Sequence, residues 1–244
     1  MYFRSLMTST TPSTGEISAY YDGHAENVQE KVGVNIRHRS ILHRMLRAGL
    51  RKDHAVLEIG CGVGTLTSLV ARKVRQGSIL SVDISPHAIA LARKRFQGND
   101  RVSFLVSDMS DFSVDRKFDF IILPDVLEHI PEEQHEGLFA TLAGHLAPGG
   151  VIAIHIPDPF CLMWLHKERP EALQIVDQPL AILPMAERFA RHGLLLDRYE
   201  RYGLWTREPD YDWIEFRRAP ELGQTGWPRW RAILNEVASR LGVW

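Results

Sequence analysis

The stretch VLEIGCGVGTLT, residues 56–67, constrains this chain more than any other. A short apolar run carries an acid, Glu58, and then meets Gly60, Gly62 and Gly64 at alternate positions. Glycines there permit positive φ and let a ligand approach the main chain closely. The spacing predicts a strand, a tight turn and a helix. A bare strand-to-helix turn with no ligand is the plain alternative. The later segments repeat the alternation: strands at SILSVDI, RVSFLVSD, FDFIILPD and VIAIHI, with helices at SPHAIALARKRF and PEEQHEGLFATLAGHL between them. Continuous apolar strands separated by helices predict an α/β, Rossmann-like three-layer sandwich around a mostly parallel sheet. Ligands of such sheets sit beyond the carboxyl ends of the strands, where strand order reverses.

The strand-end residues then narrow the ligand. Asp83 ends the second strand about 20 residues after the glycines, where an acid can accept from both ribose hydroxyls. Asp108 ends the third, placed to take an adenine amino group with Met109 against the ring; on its own it would be an ordinary turn former. Together they describe an adenosine pocket. A nucleoside triphosphate is disfavoured, because no Lys-Ser/Thr pair follows the glycines. NAD is the rival, but its fingerprint puts the third glycine one residue later, and Glu58 would repel a pyrophosphate while attracting an ammonium or sulfonium.

These segments resemble the class I S-adenosylmethionine-dependent methyltransferases. VLEIGCGVG is similar to the first motif of that family, LSVDIS to the second-strand acid motif and FLVSDM to the third-strand motif. FDFIILPDVLEHI and HLAPGGVIAIHIP are similar to the fourth and fifth. The resemblance runs from Val56 to about Pro157. It implies a seven-stranded sheet with only the last strand, DYDWIEFRR, antiparallel, and S-adenosylmethionine as cofactor. It places the methionine end on Gly60, Cys61 and Gly62 near Glu58, the ribose on Asp83 and Ile84, and the adenine by Asp108 and Met109. Pro124, Asp125 and Val126 would face the sulfonium. The sequence at 123–126 is LPDV, which departs from the Asn/Asp-Pro-Pro-aromatic pattern of adenine-directed nucleic-acid enzymes. A small-molecule acceptor, methylated at oxygen, is the resulting expectation. An NAD-dependent oxidoreductase and a non-catalytic cofactor-sensing protein are the alternatives.

Around that core, residues 1–15 read as a disordered terminus and 16–52 as a helical lid. Residues 53–218 read as the core with a substrate-covering insertion near 157–180, and 219–244 as a helical tail. In the lid, Tyr21 and Tyr20 are candidates for the cofactor and the acceptor respectively, or for simple helix packing. Arg37 is a candidate for the cofactor carboxylate or for a solvated basic face. In the insertion, Phe160, Met163 and Trp164 are candidate acceptor contacts, or the core of an ordinary helix. A hydroxyl acceptor needs a base, and histidine suits neutral pH. His129 follows the fourth strand and is the first candidate; His155 is a weaker one. His135 and His145 read as solvated.

Net charge is −1, so no broad field draws the chain to nucleic acid or anionic membrane. No apolar run is long enough to span a bilayer. No metal-ligand pattern is present. Only two cysteines occur, one of them inside the glycine loop, which suits a reducing cytoplasmic setting. Five of the six tryptophans follow residue 200, and they are candidates for an edge cover, a pocket lid or a homodimer contact.

Overall fold

A computed structural model describes residues 12–24, 33–219 and 229–240, with the side chains of 229–230 and 232–235 excepted. The chain order begins α1 (Thr14–His24), α2 (Ile36–Arg47), β1 (Ala55–Ile59), α3 (Thr65–Ala71), β2 (Ser78–Asp83), α4 (Pro86–Arg95), β3 (Val102–Val106) and β4 (Phe118–Pro124). It continues α5 (His135–His145), β5 (Leu146–Pro157), α6 (Pro159–Glu168), α7 (Ile182–Arg191), β6 (Leu194–Tyr202), β7 (Tyr211–Arg218) and α8 (Arg229–Arg240).

The seven strands form one sheet in the order β3-β2-β1-β4-β5-β7-β6. β1 to β5 pair in parallel, and β7 runs antiparallel to both its neighbours. Side-chain alternation splits the core between the two faces. Leu57, Ile121, Ile152 and Ile154 pack with Phe139 of α5 and Phe189 of α7. Val56, Phe120, Ile122 and Ala153 pack on the other face with Met45 of α2 and Val70 of α3. Both faces of β1 and β4 are therefore buried, which is why those strands read as unbroken apolar runs. Phe189 links two stacked pairs, to Phe139 at 4.0 Å and Phe216 at 4.1 Å between ring centres. Each such pair contributes roughly 0.5–1.5 kcal/mol beyond its burial.

Several boundaries differ from expectation. α1 begins at Thr14, where Ser13 and Glu16 bond reciprocally. Residues 14–15 are therefore helical, while residues 1–11 lie outside the described residues. β5 starts at Leu146, not Val151, because Leu146 pairs with Phe118 across a bulge. His135 and His145 are not solvated. His135 is 2 % exposed with Nε2 on the Ile130 carbonyl at 2.7 Å, and His145 packs edge-on to Phe112. Their helix α5 caps one face of the sheet; the His135 ring closes onto the Ile130 carbonyl, and the His145 ring bonds the Thr141 carbonyl of its own helix and accepts from the Val114 amide. Of the tryptophans, Trp213 is fully buried and Trp205 is 59 % exposed; Trp227, Trp230 and Trp244 lie outside the described side chains. Both cysteines are free thiols. Among the described residues no helix is long and apolar enough to cross a membrane.

Strand order reverses between β1 and β4. The loops after these two strands diverge there, and they bound the site.

Candidate functional site

A cavity of about 400 Å³ opens at this reversal, within the range of small-molecule sites. Its floor is the glycine loop. Gly60, Gly62 and Gly64 have φ of +73°, +51° and +78°. At Gly60 the space is also closed, since a Cβ would lie 2.1 Å from Val126 Cγ2. The loop after β1 and the loop after β4 thus touch through a missing side chain. Gly60 and Cys61 donate their amides to the Val82 carbonyl at 2.8 and 3.0 Å, and Gly62 donates to Asp83 Oδ2 at 2.7 Å. Asp83 Oδ1 accepts from the Ser85 amide at 2.9 Å. Burial raises the Asp83 pKa, against those two donors.

Glu58 lies beneath the loop, 1 % exposed. Its Oε2 accepts from Thr67 Oγ1 at 2.6 Å and Ser81 Oγ at 3.0 Å. Its Oε1 is buried without a partner, and the residue lines the cavity. Burial pushes its pKa up to about 7. An orphaned buried oxygen of an acid calls for a donor or a cation from a ligand.

Asp108 and Met109 lie across the cavity from the floor. Asp108 Oδ1 closes a turn onto the Ser110 amide and hydroxyl, so half of this carboxylate serves the loop. Met109 is buried at φ +68°, a strained conformation for a side chain of this size.

After β4, Asp125 also has positive φ, +57°, and donates its amide to the His155 carbonyl at 2.8 Å. Its carboxylate bonds His155 Nδ1 at 2.6 Å and Arg37 NH1 at 2.9 Å. Burial alone would raise its pKa, but His155 and Arg37 hold it down to about 2. His155 is fully buried, stacks on Tyr211 at 4.6 Å, and its Nε2 meets the Tyr202 hydroxyl at 2.7 Å. Both of its nitrogens are engaged and it does not line the cavity.

His129 does line it, from a one-turn 3-10 helix, Leu127–His129. Its Nδ1 bonds the Val176 carbonyl at 2.5 Å and lies 3.1 Å from Asp177 Oδ1; its Nε2 lies 3.3 Å from Gln174 Nε2 and 3.7 Å from Glu128 Oε1. Burial works to lower its pKa, but Glu128 and Asp177 outweigh that and raise it to about 9. These contacts favour the protonated ring.

Helix α1 covers the side of the cavity formed by Asp83 and Ile84. Ser18 Oγ donates to the Ile84 carbonyl at 3.2 Å, and Asp22 Oδ1 accepts from Ser85 Oγ and from the His87 amide. Tyr21 lines the cavity with its ring 5.9 Å from His129, while Tyr20 packs edge-on against Tyr21 and is 36 % exposed. Arg37 lines the cavity as well; its NH1 pairs with Asp125, and its Nε is buried without a hydrogen-bond partner.

The insertion behaves differently from expectation. Phe160 and Trp164 are 64 % and 54 % exposed, and neither they nor Met163 lines the cavity. Their helix, α6, does not line the cavity and buries only Pro159 and Leu162. The chain beyond it reaches the site instead: Gln174 lines the cavity, and Gln178 Nε2 donates to the Glu128 and Ile130 carbonyls. Sequence reading missed Gln174, Asp177 and Glu128, as well as Asp22. It also missed His38, whose ring lines the cavity and whose pKa burial and Arg37 drive down to about 4. Only His38 carried a signal, standing three residues after Asn35 as the partner in a helix cap.

Residues 56–150 match the methyltransferase domain family. A trans-aconitate 2-methyltransferase of Methylobacterium radiotolerans is 32 % identical over 122 residues, covering 50 % of this chain and 45 % of that protein. Residues 56–150 are a methyltransferase domain, set in the fold of the class I S-adenosylmethionine-dependent enzymes. A second trans-aconitate 2-methyltransferase, from Mycobacterium tuberculosis, is 28 % identical and covers 73 % of this chain and 72 % of its own. The solved magnesium protoporphyrin IX methyltransferase of Synechocystis, with bound SAH, has the same fold. Its TM-score is 0.68 at 18 % identity, over 85 % of this chain and all of that one. The chain spans about half the length of the first of these relatives, and the family match runs from β1 and the glycine loop to the start of β5.

Proposed function

We propose that this methyltransferase transfers the methyl group of S-adenosylmethionine to a carboxylate oxygen of a small organic acid. The observation that carries the cofactor is Glu58 Oε1, a buried carboxylate oxygen with no partner in the wall of the cavity. A cation of the cofactor's methionine end satisfies it, whereas the pyrophosphate of NAD would be repelled. Gly60, Cys61 and Gly62 lay bare main chain beside that acid. Asp83 presents its carboxylate to the ribose, with Ile84 beside it, and Asp108 and Met109 border the adenine. When bound, the cofactor supplies a methyl group on a sulfonium, an electrophile that needs no further activation.

The acceptor class follows from protonation states. With its proton on, His129 has no lone pair for a hydroxyl proton, His155 is sealed behind Asp125, the Nδ1 of His38 is taken by the Asn35 amide, and the Asp125 pKa is held down by its contacts with His155 and Arg37. An acceptor that arrives already deprotonated needs none of them. A carboxylate is such a nucleophile, and His129 and Arg37, which both line the cavity, are the groups that can offer it positive charge. His129 then orients the acceptor by donating, and Tyr21 with α1 excludes water from the reacting atoms. The trans-aconitate specificity in the names of the relatives fits the same chemistry, since trans-aconitate is a polycarboxylate.

The experiment is incubation with methyl-labelled S-adenosylmethionine and trans-aconitate, followed by mild alkali. Label released as methanol identifies a methyl ester. Label retained in an alkali-stable product, on nitrogen or carbon, overturns the carboxylate assignment.

A further inference from the structure

A second concavity, of about 490 Å³, lies on the far side of the glycine loop, between the end of α3 and the α4–β3 connection. Arg72, Arg75, Arg95 and Arg101 line it, with Phe96 and Asn99. No carboxylate lines it, and none of the four guanidinium groups forms an ion pair among the described residues. Their protein contacts are sparse: Arg95 donates to Thr65 Oγ1 at 3.4 Å, and Arg101 to the Arg75 carbonyl. Segments 68–76 and 93–101 together hold seven Lys and Arg against one acid, Asp100. The chain as a whole is balanced at −1, so this is a local concentration of charge. Four like charges facing one hollow repel each other unless an anion enters.

We propose that this groove binds a diphosphate group. Planar guanidinium forks match phosphate oxygens in pairs. A terminal phosphate carries about −1.5 to −2 at neutral pH and the phosphate joined to it about −1 more, so a diphosphate offsets most of the charge of four arginines. The half-buried Phe96 adds an apolar wall, and the Asn99 amide a neutral donor. The groove is a site apart from the cofactor cavity, yet the two share a wall. Phe96 Cε2 fills the space at Gly64, 2.9 Å from where a Cβ would stand, and Thr65 lines the cavity on its other side.

The test is calorimetric titration of the full chain with inorganic pyrophosphate and, separately, with adenosine diphosphate. Saturable binding that Arg72→Ala/Arg101→Ala weakens at least tenfold is the expected result, with an unchanged thermal midpoint showing that the variant is folded. If both ligands bind alike, the free diphosphate suffices; if the nucleotide binds tighter, Phe96 receives its base. Either pattern supports the site. No saturable binding to the wild type, or binding that the double variant leaves unchanged, overturns it.

Discussion

Asp83 Oδ2 accepts the Gly62 amide at 2.7 Å, so the acid at the tip of β2 shapes the glycine loop at the tip of β1. One carboxylate orders the floor of the cavity and, in the proposed function, also receives the ribose. Asp83→Ala removes both contributions. Affinity for S-adenosylhomocysteine, measured by calorimetry, is expected to fall by roughly 1–3 kcal/mol.

Gly60 sits at φ +73° against Val126. Gly60→Ala adds left-handed strain and a methyl group where 2.1 Å separates it from Val126 Cγ2. The expected loss of stability is roughly 2–4 kcal/mol by urea unfolding. The double variant with Val126→Ala is expected to recover part of it, because the clash is removed and the strain is not.

Glu58 keeps its proton to about 7 in the folded chain, against 4.5 for a free side chain. Between those values the folded state binds the extra proton, so this group makes stability fall as pH rises. Cofactor affinity is expected to move the opposite way over the same window, since the anion that holds a cation forms there. Glu58→Gln is expected to flatten both trends, as read by pH-dependent unfolding and calorimetry.

His129 is raised to about 9 from 6.5. Its contribution to stability is therefore complete below 6.5 and is lost as pH rises through about 9. For a donating imidazolium, kcat/KM falls over the same upper limb. For a base it would instead climb as the ring loses its proton. His129→Ala is expected to lower kcat/KM roughly 10²-fold with little change in cofactor affinity; steady-state rates and calorimetry separate the two.

Asp22 ties α1 to the start of α4 through Ser85 and the His87 amide. Asp22→Ala is expected to loosen that cover by about 1 kcal/mol, a roughly fivefold faster release of S-adenosylhomocysteine in stopped-flow displacement.

Local chemistry explains what could be read along the chain. The glycines, Glu58 and Asp83 were legible because strand, turn and helix signals sit within a few residues of one another, and Ser85 with Pro86 announces α4 directly. Apolar continuity in β1 and β4 announced a sheet covered on both faces. Candidate residues in that frame, Gly60, Cys61, Gly62, Asp83, Ile84, Asp108, Met109 and Pro124 to Val126, converge on one cavity for the same reason.

What the sequence determined by itself was thus the sheet, its strand tips and the kind of ligand those tips suit, because each depends on residues close together in the chain. Tertiary structure alone decided the protonation and the company of the groups facing the acceptor. His129 meets Val176 and Asp177 across nearly fifty positions, His155 meets Tyr202, and Arg37 meets Asp125. Phe160 and Trp164 turned outward while Gln174 turned in, a choice made by how the segment after β5 folds back over the 127–129 turn. The physical reason is that charge and burial act through space. A histidine's proton is set by whatever lies within a few ångströms, and no spacing along the chain records that.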